Sequence, residues 1–204
     1  IILKNLIDIK EDGSFRLNQK YFSYSTGLTM TNKKFEKLFD SKVRKTEKEE
    51  ITQFHMDLAA SIQSVLDLVM LKITRSLFNE FKIPNLCLSG GVALNCVTNG
   101  IILRDNKFKN IWTQPAAGDA GGSLGAALLY WHHELDKKRY ISKTDGMKGS
   151  LLGPSYSDDF IKEELENLGA VFKKYSESAI IEKTADAISK GKAIGWFQGK
   201  MEFG

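Results

Sequence analysis

The sequence predicts an α/β fold in which a mostly parallel sheet is covered by helices. Two short apolar segments, "NLCLS" (85–89) and "NIWTQ" (110–114), have the composition of β-strands. Each is followed by a glycine-rich turn and then by a segment with a helical pattern, "VALNCVTNGIILRD" and "SLGAALLYWHHELD". Strands that alternate with helices in this way are typical of a parallel sheet flanked by helices.

The first fifty residues predict a hairpin and a loop, and a long helix follows them. Segment 1–10 is expected to form a strand, 11–14 ("EDGS") a turn and 14–22 a second strand. Charged residues dominate up to about residue 50 and predict a connecting loop. From residue 51 onward, apolar residues recur at the spacing of a helix that Thr52 can cap, with Leu71 off the stripe. The stripe consists of Phe54, Leu58, Ile62, Val65, Leu66, Val69, Met70, Ile73 and Leu77.

The last third of the sequence predicts a second α/β unit that starts near Leu151. Residues 143–157 have the glycine-rich composition of a linker. Ser157 is a suitable N-cap for a helix that ends at Gly169. "AVFKKY" (170–175) and "KAIGWFQG" (192–199) are expected to form strands on either side of another helix.

Composition narrows the class of protein. The chain has 204 residues, of which 42% are hydrophobic, and a formal net charge of +4 that is spread along the sequence. Basic residues that are not gathered on one element do not predict a nucleic-acid surface. Cys87 and Cys96 lie among apolar residues and are expected to be buried free thiols in a reducing compartment. With no long apolar run and no signal peptide, a cytoplasmic protein without a membrane span is expected.

The two ends of the sequence predict a piece of a longer protein. The chain begins at Ile1 without a methionine. It stops just after "AIGWFQGKMEFG", where an apolar strand pattern leads into a turn.

The two glycine turns are the candidate ligand site. The amides of a first helical turn lack partners, and glycine allows an anion to approach them closely. Gly90 and Gly91 form the first turn, and Gly121 and Gly122 belong to the second. The alternative is close packing of helix on strand, where only glycine fits. Neither turn matches a Walker loop or a dinucleotide fingerprint, so the pattern predicts nucleotide binding without fixing a reaction.

Two polar residues near the glycine turns and one near the end of the chain each have two interpretations. Asp119 either caps the following helix or binds a metal ion beside a phosphate. Asn95 is placed one turn into the first helix. It forms hydrogen bonds either to the sugar or base of a nucleotide, or only to groups on the helix surface. Lys200 follows the last predicted strand and is either a point charge for an anionic ligand or a solvated turn lysine.

Four blocks of the sequence carry a family resemblance. They are "HMDLAASIQSVLDLVML", "NLCLSGGVALNCVTNG", "PAAGDAGGSLGAAL" and "GKAIGWFQGKMEFG". In this order they resemble the O-carbamoyltransferases that modify nodulation factors and antibiotics such as cephamycin and tobramycin. Residues 1–39 are similar to the segment that precedes these blocks in the family, so the resemblance covers nearly the whole chain.

The resemblance implies a fold and a reaction. Residues 1–149 are expected to be the C-terminal half of an ATPase-like domain of the actin, sugar-kinase and heat-shock-protein superfamily, with its ribonuclease H-like fold. Residues 150–204 are expected to begin a YrdC-like domain. In the family, carbamoyl phosphate and ATP give carbamoyl-adenylate, whose carbamoyl group passes to a substrate hydroxyl. The alternatives are a sugar-kinase-like phosphotransferase and a non-catalytic nucleotide-binding domain of the same superfamily.

The resemblance also assigns site residues. The nucleotide-contacting block of the family matches Gly90, Gly91 and Asn95. The family's metal, expected to be Fe(II) with Mg²⁺ as the alternative, is held by an HxxxH pair and an aspartate that matches Asp119. The histidines of this chain are His55, His132 and His133, and none forms an HxxxH pair. The resemblance therefore implies that this pair, and an arginine motif after residue 204, lie outside the chain.

Overall fold

The computed structural model describes residues 1–203 and divides into two units. The first unit covers Ile1–Ala117, and the second begins at Gly118. The domain boundary predicted between residues 149 and 150 lies inside the second unit and stays a prediction.

The first unit opens with a short hairpin that packs closely on a helix. Helix α1 (Ile2–Asn5) precedes the antiparallel strands β1 (Ile7–Ile9) and β2 (Phe15–Leu17). An added Cβ on Gly13, in the turn between them, would clash with the backbone nitrogen of Ile73. The predicted turn is confirmed, but both predicted strands are too long. Residues 2–5 are helical, and β2 ends at Leu17, after which Gln19–Tyr21 form a 3-10 helix.

Helix α2 (Lys33–Phe39) and the long helix α3 (Gln53–Phe81) follow. Thr52 is the N-cap of α3, as expected, and its backbone N–H donates to Nδ1 of His55 over 3.0 Å. Nδ1 of His55 is therefore engaged in capping the start of α3. At its other end α3 stops at Lys82, whose φ of 53° is left-handed.

The core of the first unit lies where α3 meets the strands and helices that follow it. Its buried members are Leu86, Ile102 and Phe108. Five partly buried side chains pack against them: Met70, Leu71, Phe78, Leu88 and Ile111. Leu71 contributes although it lies off the predicted apolar stripe, because α3 is contacted from more than one direction.

The central strand–helix–strand segment confirms the predicted parallel pairing. It comprises β3 (Asn85–Leu88), a 3-10 helix (Gly91–Leu94), α4 (Cys96–Arg104) and β4 (Asn110–Thr113). The two strands run parallel. The expectation of buried cysteines is wrong, since Cys87 and Cys96 are exposed. Successive residues of a strand face opposite sides, so burial of Leu86 places Cys87 on the open face of a two-stranded sheet.

The described part of the second unit is helical. It contains α5 (Gly121–Leu129), a π-helical turn (Tyr130–Glu134), a 3-10 helix (Lys148–Ser150), α6 (Asp158–Asn167) and α7 (Glu177–Ser189). The predicted N-cap is confirmed, because the Ser157 hydroxyl accepts from the N–H of Phe160 over 3.2 Å. Residues 170–175 and 192–199 are not strands, so these two predictions are wrong for the structure of residues 1–203. A strand pattern forms a strand only when a neighbouring strand pairs with it.

No helix formed by residues 1–203 combines the length and the apolar character needed to cross a membrane.

An ion pair fastens α3 to the end of α4. Nε of Arg75 donates to Oδ2 of Asp105 over 2.9 Å, and a second guanidinium nitrogen contacts Oδ1. This hydrogen bonding, more than the accompanying charge attraction, lowers the pKa of Asp105 below its ordinary value of 3.8. Because the pKa of Asp105 is lower in the folded state, the ion pair stabilises the folded protein at pH values above the ordinary pKa. This stabilisation is lost as the pH falls through the pKa of the folded state.

We expect Asp105→Asn in the full-length protein to lower the melting temperature at pH 7 by about 2 °C, since the pair is partly solvated. The difference from wild type should shrink as the pH is lowered from 5 to about 3. Asp8→Asn is the matched control, because Asp8 pairs with the nearby Lys10 and both side chains are exposed. A constant difference across this pH range would contradict the assignment.

Candidate functional site

The carboxyl ends of β3 and β4 bring the first glycine turn to the start of the second. Leu88 lies opposite Thr113 in the parallel register, so both strands end at the same edge. Two backbone hydrogen bonds continue across that edge. The N–H of Gln114 donates to the carbonyl of Leu88 over 3.0 Å, and the N–H of Gly90 donates to Ala117 over 2.8 Å.

The first turn is open around its glycines. Gly90 has a φ of 97°, a backbone conformation that residues other than glycine rarely adopt. A Cβ added to Gly90 or Gly91 would meet no atom within 4 Å, so close packing does not explain either glycine. The N–H groups of Gly91 and Val92 donate to no acceptor among residues 1–203. The turn therefore has space and free donors for an anion.

Asn95 lies immediately before α4 and is its N-cap. Its Oδ1 accepts from the N–H of Thr98 over 3.1 Å, and its Nδ2 donates to Oε1 of Gln63 over 2.9 Å. The expectation that Asn95 sits one turn into the helix is wrong, because a separate 3-10 helix, Gly91–Leu94, precedes α4. Its carboxamide is half-buried and engaged within the fold at both ends. Contact with a nucleotide stays a prediction, and only the second N–H of Nδ2 remains for it.

A polar cluster behind the turn was missed by the sequence analysis. Nε2 of Gln63 donates to Oδ1 of Asp67 over 2.8 Å and to Oγ1 of Thr98 over 3.0 Å. The Thr98 hydroxyl, which is fully buried, donates to the same Asp67 oxygen over 2.7 Å. We call Gln63, Asp67, Asn95 and Thr98 the α3–α4 polar cluster. A glutamine and an aspartate four residues apart within the apolar run of α3 were the available signal.

Residues 118–122 of the second turn belong to the second unit and differ from the expectation. Asp119 is exposed, and the N-cap of α5 is Ala120, with no side chain capping the helix. The interpretation of Asp119 as a helix cap is therefore wrong. The N–H groups of Gly121 and Gly122 donate to the carbonyls of Gly118 and Asp119, so neither is a free donor. Their role in nucleotide binding stays a prediction, in which their lack of side chains is the useful property.

The remaining predicted site residue, Lys200, faces solvent. Lys200 is exposed, and its neighbour Met201 exchanges backbone hydrogen bonds with Gly153 and Pro154. Nδ1 of His132 lies 2.7 Å from the carbonyl oxygen of Lys137. Residues 1–203 bring no three histidine, cysteine, aspartate or glutamate side chains together in a group that could hold a metal ion. Asp119 can thus supply one ligand, but the described residues alone do not fit a metal centre.

An α/β unit with an open glycine turn at its strand ends is a framework for binding an anionic ligand, and a family comparison makes the class specific. Residues 1–128 match the sequence model described as the carbamoyltransferase N-terminus. The chain belongs to this carbamoyltransferase family.

Similarity to curated proteins extends over the whole chain. An uncharacterized protein, sll1178, of Synechocystis sp. is 52% identical over 206 residues, which cover 100% of this chain and 33% of that protein. The nodulation protein NolNO of Sinorhizobium fredii is 37% identical over 75% of this chain and 22% of its own length. Nodulation protein NolO of Bradyrhizobium diazoefficiens is 35% identical over 75% of this chain and 27% of its length. The chain spans a third or less of these relatives.

The capping role of Asn95 changes what its substitution should do. Asn95→Ala should lower the free energy of unfolding of the full-length protein by about 1 kcal/mol, the usual effect of deleting an N-cap. Asn95→Ser keeps an oxygen that can accept from the N–H of Thr98 and should retain most of this stability. Urea unfolding of both variants tests this difference, and equal losses would show that the cap is not what stabilises α4.

Proposed function

We propose that this chain is part of an ATP-dependent O-carbamoyltransferase and that the Gly90–Asn95 segment contributes to its nucleotide site. The observation that carries the proposal is the open turn in a member of the carbamoyltransferase family. Gly90 and Gly91 leave room for a ligand, and the N–H groups of Gly91 and Val92 are unused. Such donors suit a phosphate or a ribose oxygen.

The proposed reaction has two transfers. Carbamoyl phosphate loses its phosphate to water, and an oxygen of the resulting carbamate attacks the α-phosphorus of ATP, so that pyrophosphate leaves. The oxygen of an acceptor hydroxyl then forms a bond to the carbamoyl carbon and loses its proton. The bond from this carbon to the AMP oxygen breaks, and AMP leaves. The acceptor is a small hydroxyl-bearing molecule.

The chain would contribute binding groups to these steps. Backbone donors of the first turn would hold the nucleotide, while Gly121 and Gly122 would let a ligand approach the second turn closely. Lys200 is exposed and carries a cation that suits the carbamoyl phosphate anion. Asp119, whose carboxylate is free of any capping duty, would supply one oxygen ligand to a divalent metal completed by groups outside this chain.

Product analysis of the full-length protein tests the reaction. With ATP and carbamoyl phosphate together, we expect release of pyrophosphate, and AMP once an acceptor hydroxyl is supplied. Omitting carbamoyl phosphate is the control and should abolish pyrophosphate release. Formation of ADP with a phosphorylated acceptor would contradict the proposal and support a phosphotransferase instead. ATP binding without any turnover would support a nucleotide-binding module.

Divalent cations need several ligands, so the loss of one carboxylate ligand should weaken the binding of a metal that other groups of the full-length protein complete. We therefore expect Asp119→Ala to lower the metal content of the full-length protein, as measured by elemental analysis, and to leave the melting temperature of the metal-free form unchanged. Asp136→Ala, which removes another exposed acidic residue of the second unit, is the control. Full metal occupancy in the Asp119 variant would exclude the residue as a ligand.

A further inference from the structure

The segment between β3 and α4 is held in place by a small number of contacts. Gly90 bonds to Ala117 at its start, and the Asn99 Nδ2 donates to the carbonyl of Ala93 over 2.7 Å in its middle. At its end, Asn95 bonds to Gln63 over 2.9 Å. The last contact is the one that reaches a different helix, because Gln63 lies 32 residues earlier in the chain on α3.

Helix α3 is a firm support for this contact. It is 29 residues long, and its side chains Met70, Leu71 and Phe78 pack against the buried core of the first unit. The contact with Gln63 therefore connects the open turn to a helix that is anchored in the core. The turn is not held only by residues close to it in sequence.

The orientation of the Gln63 carboxamide is set by Asp67. An ionised carboxylate only accepts hydrogen bonds, so the nitrogen end of the carboxamide must face Oδ1 of Asp67, 2.8 Å away. Oε1 of Gln63 then faces Nδ2 of Asn95, and Oδ1 of Asn95 is left to accept from the N–H of Thr98. Each carboxamide in this chain of contacts has one orientation that satisfies its partners.

We infer that Gln63 is a positioning residue for the nucleotide site: oriented by Asp67, it fixes Asn95 and with it the Gly90–Asn95 turn. The inference rests on the proposed function of that turn. Gln63 does not touch the nucleotide. It acts by holding the free N–H groups of Gly91 and Val92 in a preformed arrangement, so that ATP binding does not have to order them.

Two glutamines of α3 make a matched comparison possible. Gln53 also donates to an aspartate four residues later, with Nε2 to Oδ1 of Asp57 at 2.7 Å, but this pair is exposed on the first turns of α3. Gln53→Met and Gln63→Met thus remove the same local hydrogen bond from the same helix. Only Gln63→Met breaks the link to Asn95.

In the full-length protein, we expect Gln63→Met to weaken ATP binding by about three- to ten-fold, the size of one lost hydrogen bond. Titration calorimetry measures the ATP affinity directly. Steady-state kinetics should show the same rise in KM for ATP with little change in KM for carbamoyl phosphate. Gln53→Met should bind ATP like wild type. A merely structural role would lower the melting temperature of the Gln63 variant without this selective effect.

Asn95→Ser removes the same contact from the other side, keeps an N-cap oxygen and serves if Gln63→Met does not fold. The double variant Gln63→Met/Asn95→Ser should bind ATP as tightly as whichever single variant binds it less tightly. The reason is that both substitutions break the same hydrogen bond between Gln63 and Asn95. If the losses of ATP affinity in the two single variants multiplied in the double variant, the inference would be overturned. The same holds if Gln63→Met binds ATP as tightly as wild type. Either result would leave the proposed function standing. Failure of the wild-type protein to bind ATP would overturn the proposed function and the inference together.

Discussion

The parallel register of β3 and β4 is the constraint on which the candidate site depends. Because Leu88 lies opposite Thr113, the chain leaves both strands at one edge, where Gly90 donates a hydrogen bond to Ala117. A parallel pair requires a crossover, and α4 supplies it while burying Ile102 against Leu86. The apolar core and the open turn are therefore two consequences of the same strand–helix–strand unit.

Around the first turn, the polar side chains bond to groups within the fold, whereas two backbone N–H groups stay unpaired in the described part of the chain. Asn95, Thr98, Gln63 and Asp67 bond to one another or cap α4. The N–H groups of Gly91 and Val92 donate to nothing among residues 1–203. A half-buried cluster whose donors and acceptors are paired resists rearrangement, and in the proposed nucleotide site it would hold the backbone donors of the turn in place.

Asp119 shows how structure can choose between two interpretations of a residue without proving the second. The sequence around it allowed a helix cap or a metal ligand. Ala120 occupies the N-cap position of α5, so the carboxylate has no capping role. The proposed role as a metal ligand stays a prediction, because residues 1–203 bring no three metal-binding side chains together.

The sequence by itself determined the α/β class of the first unit, the position of the long helix with its Thr52 cap, the two glycine turns and the family. These features are written in local periodicity, capping residues and short motifs. Tertiary structure alone decided that 170–175 and 192–199 are not strands and that Cys87 is exposed, because pairing and burial depend on distant neighbours. It also decided that Asn95 caps α4 and bonds to Gln63, since no local pattern encodes a contact across 32 residues.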